Sequence, residues 1–306
     1  MARSVRVRAH FRTDQGRVRN NNQDFVAWKE PADAVEEAQD GWLYILADGA
    51  GGMDAGEVAS QYATERTLHH YLDGQETADW SDRLYGAMQT ANTELRELSA
   101  RKDKNSRMAT TMVATVIHDN QAHVANVGDS RAYLWREGDL RQVTKDQSLV
   151  AKLLDEGAIT AEEAAKHPRK NVILYSLGSE REPQIDLYDL ALQPDDRLLV
   201  CSDGLTRHVS DEEIGLVLGQ EGPAEATETL VNLANERGGE DNVSVGVLHF
   251  QPPPPAAEER SPKVVPVSDA ESRRAPETSG GLWLFTAFLS LVQTLLIVLI
   301  WVFLHF

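Results

Sequence analysis

The order of elements in this sequence predicts an α+β layered sandwich, and three observations carry that prediction. Strand-like runs come in succession, then two long stretches with helical spacing, then strands again, a second helical pair and one closing strand. A strictly alternating order would instead indicate a parallel sheet with crossover helices. The strand-like runs are of two kinds, alternating and continuously apolar, as half-buried and fully buried strands require. Finally, 306 residues at 42% hydrophobic and 25% charged make an ordinary globular composition, enough for one large domain or two small ones.

Residues 5–12 alternate polar and apolar and read as a half-buried strand. A polar, Asn-rich loop from Gly16 to Asp24 precedes a second short strand, Phe25–Trp28. Residues 30–41 are acidic and contain Pro31, which marks a surface connection. Leu43–Ala47 is an apolar run closing on Asp48 and the glycines Gly49, Gly51 and Gly52, a buried strand with a carboxylate where the chain leaves the core. Gly56 to about Leu72 has helical spacing through Val58, Ala59, Tyr62, Ala63 and Leu68, and residues 79–101 repeat it through Leu84, Met88, Ala91, Leu95 and Leu98.

Thr110–Ile117 is β-branched and apolar, and Gln121–Val127 pairs with it across Asp119-Asn120 as a hairpin. Gly128-Asp129-Ser130-Arg131 interrupts the next strand, Ala132–Trp135. Residues 144–181 are charged, mix short helical signals with His167-Pro168, and read as an inserted flap. Strands at Ile185–Leu190 and Leu198–Ser202 resume the sheet. Helices at Asp211–Leu218 and Pro223–Glu236 carry acidic first turns that suit the helix dipole, and Val243–Phe250 closes the fold.

Past Phe250 the composition changes. Residues 251–281 are rich in Pro, Glu, Ser and Ala without a periodic apolar face, which predicts a disordered linker. Residues 282–306 contain no Asp, Glu, Lys or Arg over 25 positions, long enough for one transmembrane helix. Arg273 and Arg274 precede it, so the positive-inside bias puts the large domain in the cytoplasm, anchored at the cell inner membrane by its C-terminal span and in contact there with the lipid bilayer. The expected organisation is therefore a globular domain over 1–250, a linker over 251–281 and a membrane helix over 282–306.

The formal charge is −18; residues 251–281 hold 4 basic and 5 acidic side chains and no charged residue follows, so about −17 falls on residues 1–250. No basic stripe is present for a nucleic-acid backbone, whereas an acidic chain suits a site that collects divalent cations. Cys201 is the only cysteine and lies in an apolar strand, a buried core thiol of a reducing compartment. Arg3, Arg6 and Arg8 alternate with Val5, Val7 and Ala9, a strand pattern rather than a signal peptide.

Three aspartates carry the chemistry. Asp48 and Asp203 each close an apolar strand before a glycine, and Asp241 stands just before the last strand. Asp-Gly alone is a common turn pair; three strand-end aspartates far apart in sequence point to one shared centre. A carboxylate at a core boundary needs a cation, a metal or a proton. With only hard oxygen donors nearby, Mg²⁺ or Mn²⁺ is favoured over zinc, and a shared carboxylate would hold two ions about 3.5–4 Å apart. Arg19, in the polar loop with Asp24, has a guanidinium suited to holding a phosphoryl group through two parallel hydrogen bonds. Gly49-Ala50-Gly51-Gly52 is not a dinucleotide loop, because Asp54 stands where its third glycine would be.

Taken together, Arg19-x-x-Asn22-Gln23-Asp24, Ala47-Asp48-Gly49-Ala50-Gly51-Gly52, Gly56-Glu57-x-Ala59-Ser60, Ala109-Thr110-Thr111, Val127-Gly128-Asp129-Ser130-Arg131, Ser202-Asp203-Gly204-Leu205 and Glu240-Asp241-Asn242-Val243-Ser244 resemble the PPM-type (type 2C) metal-dependent Ser/Thr protein phosphatases, bacterial branch. The resemblance spans nearly all of residues 5–250. It implies a four-layer α-β-β-α sandwich, two antiparallel sheets flanked by helix pairs, with a dinuclear Mg²⁺ or Mn²⁺ centre at one end. It implies that Asp48 bridges both ions, that the Gly49 carbonyl ligates one, and that Asp203 and Asp241 complete the other. Arg19 would hold the substrate phosphate and Asp24 would orient the attacking water. Asp129 with Asp203 would hold a third, looser ion beside the flap.

The expected reaction is hydrolysis of phosphoserine and phosphothreonine in proteins by a metal-bridging hydroxide, with membrane-associated phosphoproteins as substrates and a cognate Ser/Thr kinase as partner. Two positions depart from the family pattern. Ala50 stands where animal members carry a proton-donating His, and Gln147 replaces a His common in the Asp-His-Ser segment. The alternative reading is a catalytically silent member of the fold that docks phosphoproteins; a missing acidic ligand would favour it, and none is missing.

Overall fold

Period-two alternation in the strands builds this molecule as stacked layers. The computed structural model describes residues 6–51, 55–74, 79–102 and 108–251. The chain divides into two units, Met1–Pro255 and Ala256–Phe306, and all described residues belong to the first. Of the linker expected over 251–281, Gln251 is the last residue of the closing strand; the rest, the expected span over 282–306 and Gly52 lie outside the described residues. Among the described residues no helix is long and apolar enough to cross a membrane.

In chain order the elements are β1 (Arg6–Asp14), β2 (Asp24–Lys29), α1 (Ala34–Asp40), β3 (Trp42–Ala50), α2 (Ala55–Asp73), α3 (Trp80–Lys102), β4 (Ala109–Thr110), β5 (Met112–His118), β6 (Gln121–Val127), β7 (Arg131–Arg136), β8 (Asp139–Gln142), α4 (Leu149–Asp155), α5 (Ala161–Ala165), β9 (Asp186–Ala191), β10 (Arg197–Cys201), α6 (Asp203–Thr206), α7 (Asp211–Gln220), α8 (Pro223–Glu236) and β11 (Val243–Gln251). One sheet has the order β1-β11-β10-β7-β8; the other runs β2-β3-β5-β6-β9, with β4 paired to β3. The strand pairs within both sheets are antiparallel.

Successive strand residues point to opposite faces, so each central strand feeds two cores. On β3, Leu43, Ile45 and Ala47 pack with Ala63, Tyr71, Leu84, Met88 and Leu95 of α2 and α3. Tyr44 and Leu46 turn the other way, toward Leu134, Leu198, Val200 and Leu248 of the opposite sheet. On β10, Leu198 and Val200 join that inter-sheet core, while Leu199 and Cys201 pack with Ile214, Leu218, Leu230 and Ala234 of α7 and α8. Three stacked cores make four layers: helices, sheet, sheet, helices. The thiol of Cys201 is buried, as expected, and burial pushes its pKa up to about 12.

Several elements differ from the sequence reading. Residues 30–41 contain α1, whose first turn is capped by Asp33 accepting from the Val35 and Glu36 amides and whose end is set by Gly41 at φ 63°. At 7 residues it is too short to show a helical period. β3 continues two residues past Asp48, because Gly49 and Ala50 pair with Thr110 and Ala109 of β4. The four-residue β8 was not foreseen; it returns from β7 through Glu137 and Gly138, both at positive φ as a tight hairpin requires. β10 stops at Cys201, and Asp203 opens the single turn α6 instead of closing the strand. The flap contains α4 and α5, capped by Ser148 and Thr160.

Candidate active site

The alternation that sends Tyr44 and Leu46 into the inter-sheet core places Asp48 next on the same face, at the end of the sandwich. Asp24 is its direct partner across β2 and β3. From the opposite sheet, Ser202 reaches over: its Oγ donates to Asp24 Oδ2 at 2.8 Å and accepts from the Ser244 amide at 3.0 Å. Asp203 follows at the start of α6, and Asp241 sits in the turn before β11. Asp48, Asp203 and Asp241 therefore converge, as their strand-end positions suggested.

The electrostatics record that convergence. Burial pushes the Asp48 carboxyl well above the usual carboxylate range, and the charges of Asp24, Asp203, Asp129 and Asp241 add to it. Asp24 is pushed up to about 7, mainly by burial and further by Asp203 and Asp241, although its serine partners favour the charged form. Asp129 is likewise pushed up to about 7 by burial, with Asp203 and Asp146 adding. Asp203 is raised by burial, against the pull of Arg207. Oδ1 of Asp24, of Asp129 and of Asp203 is each buried without a hydrogen-bond partner. Isolated carboxylate oxygens of this kind are costly unless a cation or proton meets them.

The backbone around Asp48 is held closely. Its carbonyl accepts from the Thr111 amide at 2.9 Å and from Thr110 Oγ1 at 2.8 Å. Thr111 Oγ1 lies 2.7 Å from Ser130 Oγ, tying β3 to the Asp129 loop. Gly49 donates to the Gln23 carbonyl at 3.0 Å, and a Cβ on it would lie 2.1 Å from the Gly56 carbonyl oxygen. Only glycine allows α2 to start that close to β3. Asn242 knits the Arg19 loop to the same place: its Oδ1 accepts from the Gln23 amide at 2.8 Å, and its Nδ2 donates to the carbonyls of Gln15 and Asn21 at 2.8 and 2.9 Å.

Arg19 arrives on that loop, and its Nη2 donates to Asp241 Oδ2 at 2.8 Å. A second guanidinium joins it. Arg207 Nη1 donates to the same Asp241 oxygen at 2.9 Å, and Nη2 donates to Asp203 Oδ2. Among the described residues no three acidic, histidine or cysteine side chains stand in a closed coordination cage; Asp203 and Asp241 are turned toward guanidinium groups. Sequence reasoning missed Arg207, yet its place four residues after Asp203 is the spacing at which a helical turn brings two side chains together.

Asp129 faces the flap. It lines a cleft of about 380 Å³ with Asp203, Arg207, Ser148 and Lys170. Gln147 fixes the flap at its root: its Oε1 accepts from the Gly128 amide at 2.9 Å, and its Nε2 donates to Asp186 Oδ2 at 2.9 Å and to the Gln184 carbonyl at 3.1 Å. Both ends of the amide are used, so here Gln147 is a structural clamp beside Asp129. Ala50, half-buried at the end of β3, carries no polar atom toward the centre.

These features have counterparts in known proteins. A family model described as Protein phosphatase 2C matches residues 15–242. The serine/threonine phosphatase stp of Listeria monocytogenes is 37% identical over 246 residues, which is 78% of this chain and 94% of the relative. The crystal structure of the Mycobacterium tuberculosis serine/threonine phosphatase PstP/Ppp superposes with a TM-score of 0.72 at 37% identity, over 81% of this chain and 100% of that one. The catalytic domain of PstP in complex with two manganese ions superposes with a TM-score of 0.70 at 37% identity, over 81% of this chain and 100% of that one.

Proposed function

Because this chain belongs to the protein phosphatase 2C family and is a protein-serine/threonine phosphatase, we propose that its carboxylate cluster is a dinuclear Mn²⁺ or Mg²⁺ centre. Asp48, Asp203 and Asp241, with the Gly49 carbonyl, would hold the pair, and Asp129 with Asp203 would hold a third, looser ion. One observation carries the reading: five carboxylates from both sheets crowd one end of the sandwich, and three of them present a buried oxygen without a partner. The donors are all oxygen, which suits hard cations. Arg19 and Arg207 supply positive charge there in this structure, and divalent ions would relieve the same repulsion more strongly.

When bound, two such ions lower the pKa of water and neutralise phosphoryl oxygens. The chain's own residues do the rest. Arg19, on an exposed loop, receives the phosphoryl group through its guanidinium fork and sets the phosphorus in line for attack. Asp24, fixed by Ser202 and adjacent to Asp48, orients the attacking water and holds its proton at the free Oδ1. Water attacks phosphorus as the seryl or threonyl oxygen departs, and that oxygen takes up a proton, leaving inorganic phosphate and the free hydroxyl.

The tail gives the proposal its setting. The uncharged stretch over 282–306 would anchor the protein in the cell inner membrane, with Arg273 and Arg274 on the cytoplasmic side. A linker of about 30 residues reaches roughly 30 Å on average, so phosphorylated membrane proteins, together with the Ser/Thr kinase that acts on them, are the natural partners. Phosphate release from a phosphoserine peptide by the full-length protein with Mn²⁺, abolished in Asp203→Ala, is the expected result. A wild type that binds no Mn²⁺ would overturn the centre. A chain truncated after 281 that still pelleted with membranes would overturn the anchor.

A further inference from the structure

We infer that Arg207 is a second phosphate-binding residue, closing on the substrate's phosphoryl group opposite Arg19. The inference rests on the dinuclear reading above. Its starting point is one oxygen atom: Asp241 Oδ2 accepts from Arg19 Nη2 at 2.8 Å and from Arg207 Nη1 at 2.9 Å. The two nitrogens are therefore at most 5.7 Å apart, which a single tetrahedral anion can bridge with two of its oxygens.

The two arginines come from unrelated places. Arg19 lies on the loop between β1 and β2, and Arg207 forms the C-terminal cap of α6, whose start is Asp203. The α6 turn is pressed onto the centre, since a Cβ on Gly204 would lie 2.0 Å from the Asn242 carbonyl oxygen. That contact fixes the root of Arg207. Arg207 also lines the flap-side cleft, together with Asp129, Asp203, Arg131 and Lys170. Arg207 is thus shared between the carboxylate centre and the cleft through which a phosphorylated segment would approach.

Charge decides what Arg207 meets during the reaction. With divalent ions on Asp203 and Asp241, those carboxylates are engaged and the guanidinium is repelled from the cations. The strongest anion then within its reach is the phosphoryl group, with a charge of about −1.5 to −2. A planar fork can grip two of its oxygens, which a lysine cannot do. The competing account makes Arg207 only an internal counter-ion that keeps the carboxylates neutral until metal arrives.

Calorimetry on the full-length protein separates the two. Inorganic phosphate is titrated into the Mn²⁺-saturated wild type and into Arg207→Ala, Arg207→Lys and Arg19→Ala, and Mn²⁺ into each metal-free form. The expected result is a loss of phosphate affinity in Arg207→Ala of about 10–100-fold, the worth of one hydrogen bond to a charged group, with only partial recovery in Arg207→Lys. KM for a phosphopeptide should rise more than kcat falls. Phosphate affinity within about twofold of wild type, with tighter Mn²⁺ binding in Arg207→Ala, would overturn the inference in favour of the counter-ion. If Arg19→Ala lost phosphate and Arg207→Ala did not, this inference alone would fail. A wild type that bound neither Mn²⁺ nor phosphate would remove the centre and the inference together.

Discussion

Asp24 and Asp48 stand directly opposite each other on neighbouring antiparallel strands, two carboxylates where a sheet normally avoids like charges. Burial and the nearby Asp203 and Asp241 raise Asp24 from its ordinary 3.8 to about 7. An unfolded chain gives up this proton near 3.8, so between that value and about 7 the folded state binds more protons. The contribution of Asp24 to stability without divalent ions must then decline as pH rises through this window, and level off above it. Urea midpoints measured with a chelator at pH 5 and pH 7.5 should show the decline in wild type and a smaller one in Asp24→Asn. Identical slopes would show that the proton is held elsewhere.

Ser202 yields the next expectation. It is buried and bonds both Asp24 and the Ser244 amide, so it fixes the carboxylate proposed to orient the attacking water. Ser202→Ala should lower Mn²⁺ affinity or kcat by about 10–100-fold, as losing an outer partner of a metal site does. Losing the hydroxyl that also accepts from the buried Ser244 amide should cost about 1–3 kcal/mol of stability in the metal-free protein. Chelator-treated denaturation and a Mn²⁺ titration measure the two separately. A purely structural role would change the first and spare the second.

Legibility in the sequence followed the physics of each element. Strands such as Leu43–Ala47 and Leu198–Val200 were readable because each residue must suit one of two cores. The long helices α2 and α3 were readable because their apolar period repeats over many turns. The short α1, β8 and α6 carry no period and are set by caps and turns that only tertiary pairing confirms. In the site, Asp48 and Asp203 stood out because a carboxylate ending an apolar run is expensive, and Asp241 because it stands just before the last strand. Arg207 did not, since an arginine after a polar turn reads as solvated surface, and only the fold brings Asp241 from 34 residues away to meet it.

Away from the centre, Arg83 should prove the most sensitive charged residue. Its side chain is 4% exposed and donates to Asp40 Oδ1 at 2.9 Å, to the Tyr71 carbonyl at 2.6 Å and to the Gln39 carbonyl at 2.7 Å. The guanidinium also lies 4.1 Å from the Tyr71 ring centroid. Removing one partner of a buried pair strands the other, so Arg83→Ala should lose about 3–5 kcal/mol of stability. Because this pair joins α3 to the end of α1, far from the carboxylates in the fold, the surviving folded protein should keep its KM. A loss below about 1 kcal/mol, the scale of an exposed ion pair, would show that water reaches the site.

Ala50 sets the last expectation, about the leaving group. A seryl oxygen departs poorly unless protonated, and an alanine side chain has no proton to give. Aryl phosphates leave without that help, so turnover should fall steeply as the leaving group becomes more basic. Positioned acids typically contribute about 10²–10⁴-fold, which bounds what phosphoserine substrates can lose. Ala50→His tests the point directly: half-buried at the end of β3 and paired to Ala109, it should raise phosphoserine turnover and leave p-nitrophenyl phosphate nearly unchanged. A new bell-shaped pH profile with a limb near the histidine range should accompany the gain. If wild type already hydrolysed both classes at equal rates, a proton donor other than residue 50 must serve the departing oxygen.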